Sequence, residues 1–160
     1  MSDFQFNVSL GREVEFYNRV NDSDPTNAVF VMVVLAEAGL ETDAVLKDKD
    51  TLADVLSGTT NEATNSVRKT ITDADIGPYT VDDNANSITI ALPVQTYTTP
   101  ASGDSWRKVL VCYDSDSTGG TDANIVPVSA HDLLINGVAV APPGGVNVVI
   151  DLSAGFAVAS

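Results

Sequence analysis

"AVFVMVVLA", residues 28–36, decides how this chain folds. Nine apolar residues in a row are half of what a membrane span needs. The run is valine-rich and bounded by polar turns, so it reads as a β-strand buried on both faces. Just before it, "NDSDPTN" (21–27) is built of turn-forming residues, and Pro25 stops any helix. Farther upstream, in "REVEFYNRV" (12–20), Val14, Phe16 and Val20 alternate in part with charged positions, which favours a strand over a helix.

Downstream, "LKDKDTLADVLSG" (46–58) carries the best helix signal. Asp50 caps it, Leu52, Val55 and Leu56 fall at helical spacing, and Gly58 ends it. From Val67 onward the pattern is β. Tyr79–Val81 and Ile88–Leu92 form a hairpin across "DDNANS", with Pro93 placing its strand at an edge or a bulge. "WRKVLVCY" (106–113) is a second strongly apolar strand, and "NIVPV", "LLINGVAVA" and "VNVVIDL" follow, with Asn136-Gly137 as a tight-turn signal. The expected fold is one domain over 1–160, mainly β: a sandwich or barrel-like arrangement of about seven to nine short strands with one short helix. An α+β arrangement is the alternative.

Composition narrows the function. At 160 residues and 44 % hydrophobic content the chain builds its own core without staples. One cysteine excludes an internal disulfide and a cysteine-based zinc site. With 22 acidic and 8 basic side chains the net charge is −14, which repels nucleic-acid phosphates and anionic membranes. The start, "MSDFQFNVSLGREVEF", lacks the basic-then-apolar pattern of a signal peptide.

The stretch most suggestive of chemistry is "CYDSDSTGGTDANIVPVSAHD" (112–132), which holds the only cysteine and the only histidine. Asp114, Asp116, Thr118 and Gly119 match the opening positions of a helix–loop–helix calcium loop, but the closing glutamate is replaced by Ile125. That leaves Asp114, Asp116 and Asp122 as candidate calcium ligands in a β-loop, against the plainer reading of a solvated turn. Cys112 shares a strand face with Leu110 and reads as core, and nothing brings it to His131. A serine triad would need Ser129 or another serine beside that histidine, and no nucleophile-elbow pattern is present. The remaining aspartate pairs lie in turns, where carboxylates accept local backbone bonds. No catalytic residue is assigned, and the chain reads as a non-enzyme.

Taken together, Gly11–Asn65, "RKTIT" (68–72), "VDDNANSITIALPVQTY" (81–97), "KVLVCYDSDSTGGTDANIVPVSAHD" (108–132) and the ending "FAVAS" resemble small proteins encoded in the structural modules of tailed bacteriophages. The block "LVCYD…GTDANI.P…HD" is the most specific part. The ending lacks the basic residue expected before "AS". The resemblance implies a virion structural protein, made in the host bacterial cytoplasm. A capsid decoration (cement) protein on the head surface comes first, bound to the major capsid protein and forming homo-oligomers, often trimers. A tail or head–tail connector component is the alternative, and a carbohydrate-binding adhesion module is a third reading.

The residues at the N-terminus bear on partners. Phe4, Phe6, Val8 and Leu10 alternate strictly, so 1–10 reads either as an arm adding a strand to a partner's sheet or as the first strand of its own domain.

Overall fold

The computed structural model describes residues 3–159; Met1, Ser2 and Ser160, the last residue of "FAVAS", lie outside them. In chain order the elements are β1 (Phe4–Gln5), α1 (Glu13–Asn21), β2 (Val29–Ala36), α2 (Asp43–Leu46), α3 (Leu52–Val55), β3 (Lys69–Ile71), β4 (Thr80–Asp82), β5 (Ser87–Ile90) and β6 (Gln95–Tyr97). They continue with β7 (Trp106–Asp114), β8 (Val126–Asp132), β9 (Leu134–Ile135), β10 (Val138–Ala139), β11 (Val148–Ile150) and β12 (Ala157–Ala159). The fold is mainly β with a little helix. Several strands are only two or three residues long, which is why the sequence suggests fewer.

Every residue of β2 is buried. The reason is its place in a five-stranded antiparallel sheet of order β1-β8-β7-β2-β3, where it pairs with β7 along its whole length and with β3 beside it. Side chains alternate across the sheet. Phe30, Met32 and Val34 join Val109, Val111 and Tyr113 in one core cluster, and Val31, Val33 and Leu35 join Leu110 and Cys112 in another. Each side chain of this size contributes about 1.5–3 kcal/mol on burial, so the two-faced sheet is the main source of stability.

Different material covers the two faces. On the first lie α1 and residues of β5, β6 and β11, bringing Phe16, Tyr17, Ile90, Tyr97 and Ile150 against the sheet. The strands of this layer form small sheets of their own, β12-β5-β4 and β11-β6, which gives the sandwich-like layering. On the second face lie α2 and α3 with the N-terminal segment, contributing Leu46, Leu52, Val55 and Phe6.

Residues 12–20 are not a strand. Glu13, Phe16, Tyr17 and Val20 are the buried positions of α1, a helical i, i+3, i+4, i+7 stripe that counts Tyr17 and outweighs the partial alternation. On the outer side Glu15 bridges Arg12 and Arg19, both at 3.0 Å. The helix expected within 46–58 is α3, a single turn whose cap is Thr51 rather than Asp50: the Thr51 hydroxyl accepts from Asp54 N–H at 3.1 Å, and α2 is an additional turn just upstream. The hairpin around "DDNANS" forms with Val81 opposite Ile88. Its second strand, β5, is central in its sheet, and Pro93 lies beyond it in the loop to β6. Asn136 (φ 53°) and Gly137 (φ 80°) make the two-residue turn between β9 and β10.

Candidate functional site

The acidic loop between β7 and β8 does not assemble three carboxylates. Asp114 accepts the Asp116 N–H at 3.0 Å, and Asp116 accepts from the Thr118 hydroxyl at 2.6 Å, the Thr118 N–H at 3.1 Å and the Asn27 amide at 3.3 Å. Those bonds from Thr118 hold the Asp116 carboxyl below the usual carboxylate range. Asp122 is turned elsewhere. The Arg68 guanidinium grips it with two bonds of 2.6 and 2.8 Å, which lowers its pKa, while the same guanidinium holds Glu62 at 2.8 Å. Of the candidate calcium ligands Asp114, Asp116 and Asp122, the third is thus held by an arginine and the second by Thr118 and Asn27. Among the described residues no group of three or more His, Cys, Asp or Glu side chains is placed to hold a metal ion.

The N-terminal residues are likewise used internally. Phe4 pairs with Ala130 across β1 and β8, Phe6 is fully buried, and the Phe6 N–H donates to Val128 O at 3.0 Å. Val8 sits in a 3₁₀ turn and packs on the same core, and only Leu10 is exposed. Strict alternation stops after Phe6, because the chain turns rather than continuing as a strand. Of the two readings of 1–10, the described residues take the second: they start their own domain's sheet.

His131 has two partners that the sequence does not reveal. Its Nε2 lies 3.0 Å from Ser129 Oγ and its Nδ1 lies 3.2 Å from Asp3 Oδ2, an order that resembles a hydrolase triad. Asp3 Oδ1 also accepts the Asp132 N–H at 2.8 Å. Ser129 is 1 % exposed in the middle of β8, so its hydroxyl is closed to solvent in this arrangement. Neither Ser129 nor His131 lines the grooves at Asp132–Val149, Glu15–Asp24 or Asp3–Lys47. The register explains the geometry: Val111 faces Ser129 and Cys112 faces Pro127, leaving Val128 as the extra residue of a bulge. The trio pins β1 onto β8. Cys112 belongs to the opposite face, where burial pushes its thiol pKa up.

A buried cation completes this region. Lys108 Nζ, with no exposed side-chain surface, lies 2.5 Å from Asp132 Oδ1 and 3.2 Å from Asp43 Oδ1, and 5.1 Å from the Phe4 ring centroid. It ties β7, β8, α2 and β1 together. The signal for it was a lysine inside an apolar strand, "WRKVLVCY", but the sequence does not show which carboxylates meet it.

The chain has no match among known protein-family models, curated proteins or solved structures.

One groove among the described residues is largely apolar. This groove of about 570 Å³ is lined by Leu133–Ile135, Ala139–Pro143 and Asn147–Val149, with Asp132 at one end. Its walls offer contact area and no reactive side chain. Among the described residues, no helix is long and apolar enough to cross a membrane.

Proposed function

We propose that this chain is a virion structural protein of a tailed bacteriophage, a decoration protein that binds the major capsid protein lattice and stabilises the head. The observation that carries the reading is the sequence resemblance centred on residues 108–132. That block supplies β7, the Asp114–Asp122 loop and β8, with the carboxylates and the histidine used to lock strands together. A module whose polar side chains secure its own scaffold suits binding better than turnover. An acidic exterior keeps densely packed particles apart in solution.

The experiment is rebinding. Heads assembled without this protein are mixed with the purified chain, sedimented, and heated beside untreated heads. The reading expects saturable co-sedimentation and a higher temperature of head disruption. Binding to isolated tails and not to heads would replace it with the tail or connector reading.

A further inference from the structure

We infer that Lys108 and Asp132 condense into an amide, a covalent cross-link between β7 and β8 that the chain forms on itself with Asp43 carrying the proton. The starting point is what an amine needs in order to react with a carboxyl group. Bulk water must be absent, because it keeps both groups charged and opposes a step that releases water. The two groups must already touch, so that no encounter has to be made. A further carboxylate must stand beside the nitrogen to move a proton.

Lys108 meets all three conditions. Lys47, Lys49 and Lys69 are partly exposed, whereas Lys108 is fully buried. It stands directly opposite Asp132 in the sheet, so the two side chains leave the same face. Its Nζ donates to Asp132 Oδ1 at 2.5 Å, and Asp43 Oδ1 lies 3.2 Å from the same nitrogen. The surroundings are apolar: the Phe4 ring centroid is 5.1 Å away, and Leu110 and Ala130 are fully buried on that side of the sheet. Arg107 Nη1, buried and without a hydrogen bond, lies 3.6 Å from Asp132 Oδ1. Lys49 supplies the contrast. It lies 3.6 Å from Glu41 with both side chains about one-fifth exposed, at 20 % and 19 %, so water reaches the pair and it stays ionic.

The step balances without any added reagent. The ammonium passes a proton to the Asp132 carboxylate across their hydrogen bond, leaving a neutral amine and a carboxylic acid. The nitrogen lone pair attacks Asp132 Cγ, forming the N–C bond as the C=O π pair moves onto oxygen. Arg107 keeps positive charge beside the carboxyl group while that oxygen turns negative. Asp43 takes a proton from the attacking nitrogen and gives it to the departing hydroxyl, so the C–O bond breaks and one water leaves. Asp43 ends as it began, and nothing is oxidised or reduced. Two buried charges become one neutral amide, which removes the cost of keeping them out of water. The product closes residues 108–132 into a covalent loop in the middle of the main sheet, with the chain-restricting effect of a disulfide.

The test is mass spectrometry of the purified full chain after denaturation, followed by digestion. The free chain is used, so the result stands or falls separately from the capsid reading. The expected chain is lighter by one water than its sequence requires. Trypsin locates the loss, because no Lys or Arg follows Lys108. An unlinked chain releases residues 109–160 at full mass. The linked chain gives residues 108–160, uncut after Lys108 and short of one water, and chymotrypsin cutting after Tyr113 leaves the two parts joined. Cleavage after Lys49 should be normal. Lys108→Arg, which keeps the charge but supplies no amine, and Asp43→Asn, which removes the proton carrier, should both have full mass. The inference is overturned by a natural chain of full mass that is cut after Lys108, by a water loss that maps elsewhere, or by complete linkage in Asp43→Asn. The mass of the natural chain needs no variant, so a poorly folding mutant leaves the decisive measurement in place.

Discussion

Lys108 shows how a single residue organises this fold. A fully buried ammonium needs charge partners, and Asp132 and Asp43 meet it at 2.5 and 3.2 Å. Lys108→Ala removes the buried ammonium that Asp132 and Asp43 share and should cost about 3–5 kcal/mol, read as a large fall in melting temperature. Asp122 makes a milder, pH-dependent statement. Arg68 lowers its pKa, so the stability it supplies is complete above its unfolded pKa of about 4 and is lost as pH falls through the folded value. Asp122→Asn should cost under about 1 kcal/mol at neutral pH, because the side chain is 35 % exposed and solvent screens the pair. It should also flatten the acid-unfolding limb below about pH 4, and calcium or chelator should leave either protein's melting temperature unchanged. At this scale the sequence was legible for Cys112, whose strand-face placement with Leu110 holds. It was illegible for Asp122, Lys108 and His131, whose partners Arg68, Asp43 and Asp3 are 54, 65 and 128 residues away.

Elements were readable wherever one periodicity dominated. The run at 28–36 has no polar interruption, so its placement at β2 follows directly, and the Asn136-Gly137 turn supplied its own backbone chemistry. Residues 12–20 misled because Val14, Phe16 and Val20 fit a period of two in part. Tyr17 completes the helical stripe and hydrogen-bonds Gly77 O at 2.8 Å, a contact made only once the distant loop is in place. The N-terminal segment left two readings open, since alternation cannot say whose sheet a strand joins, and the structure pairs Phe4 with Ala130 of its own domain. Here the prediction is sharp. Phe6→Ala should destabilise the isolated chain by about 3–5 kcal/mol, as removing a buried aromatic from a core does. Leu10→Ala, at 57 % exposure, should change stability by less than about 0.5 kcal/mol. Equal small effects in chemical denaturation would return 1–10 to the role of a free arm.

The whole molecule divides its labour by charge. One sheet buried on both faces forms the core, and every charged side chain lies outside residues 84–103 and 133–150, which carry β5, β6 and β9–β11. The β class was legible from composition and strand runs. The neutral face was not, because its two uncharged segments become one surface only when β6 meets β11. The account stands on the claim that this chain works by occupying a particle. The most direct test is its copy number in purified virions, measured by quantitative mass spectrometry against the major capsid protein with heads and tails separated. Hundreds of copies fractionating with heads is the predicted result; absence from the particle, or turnover of a substrate by the purified chain, would contradict it.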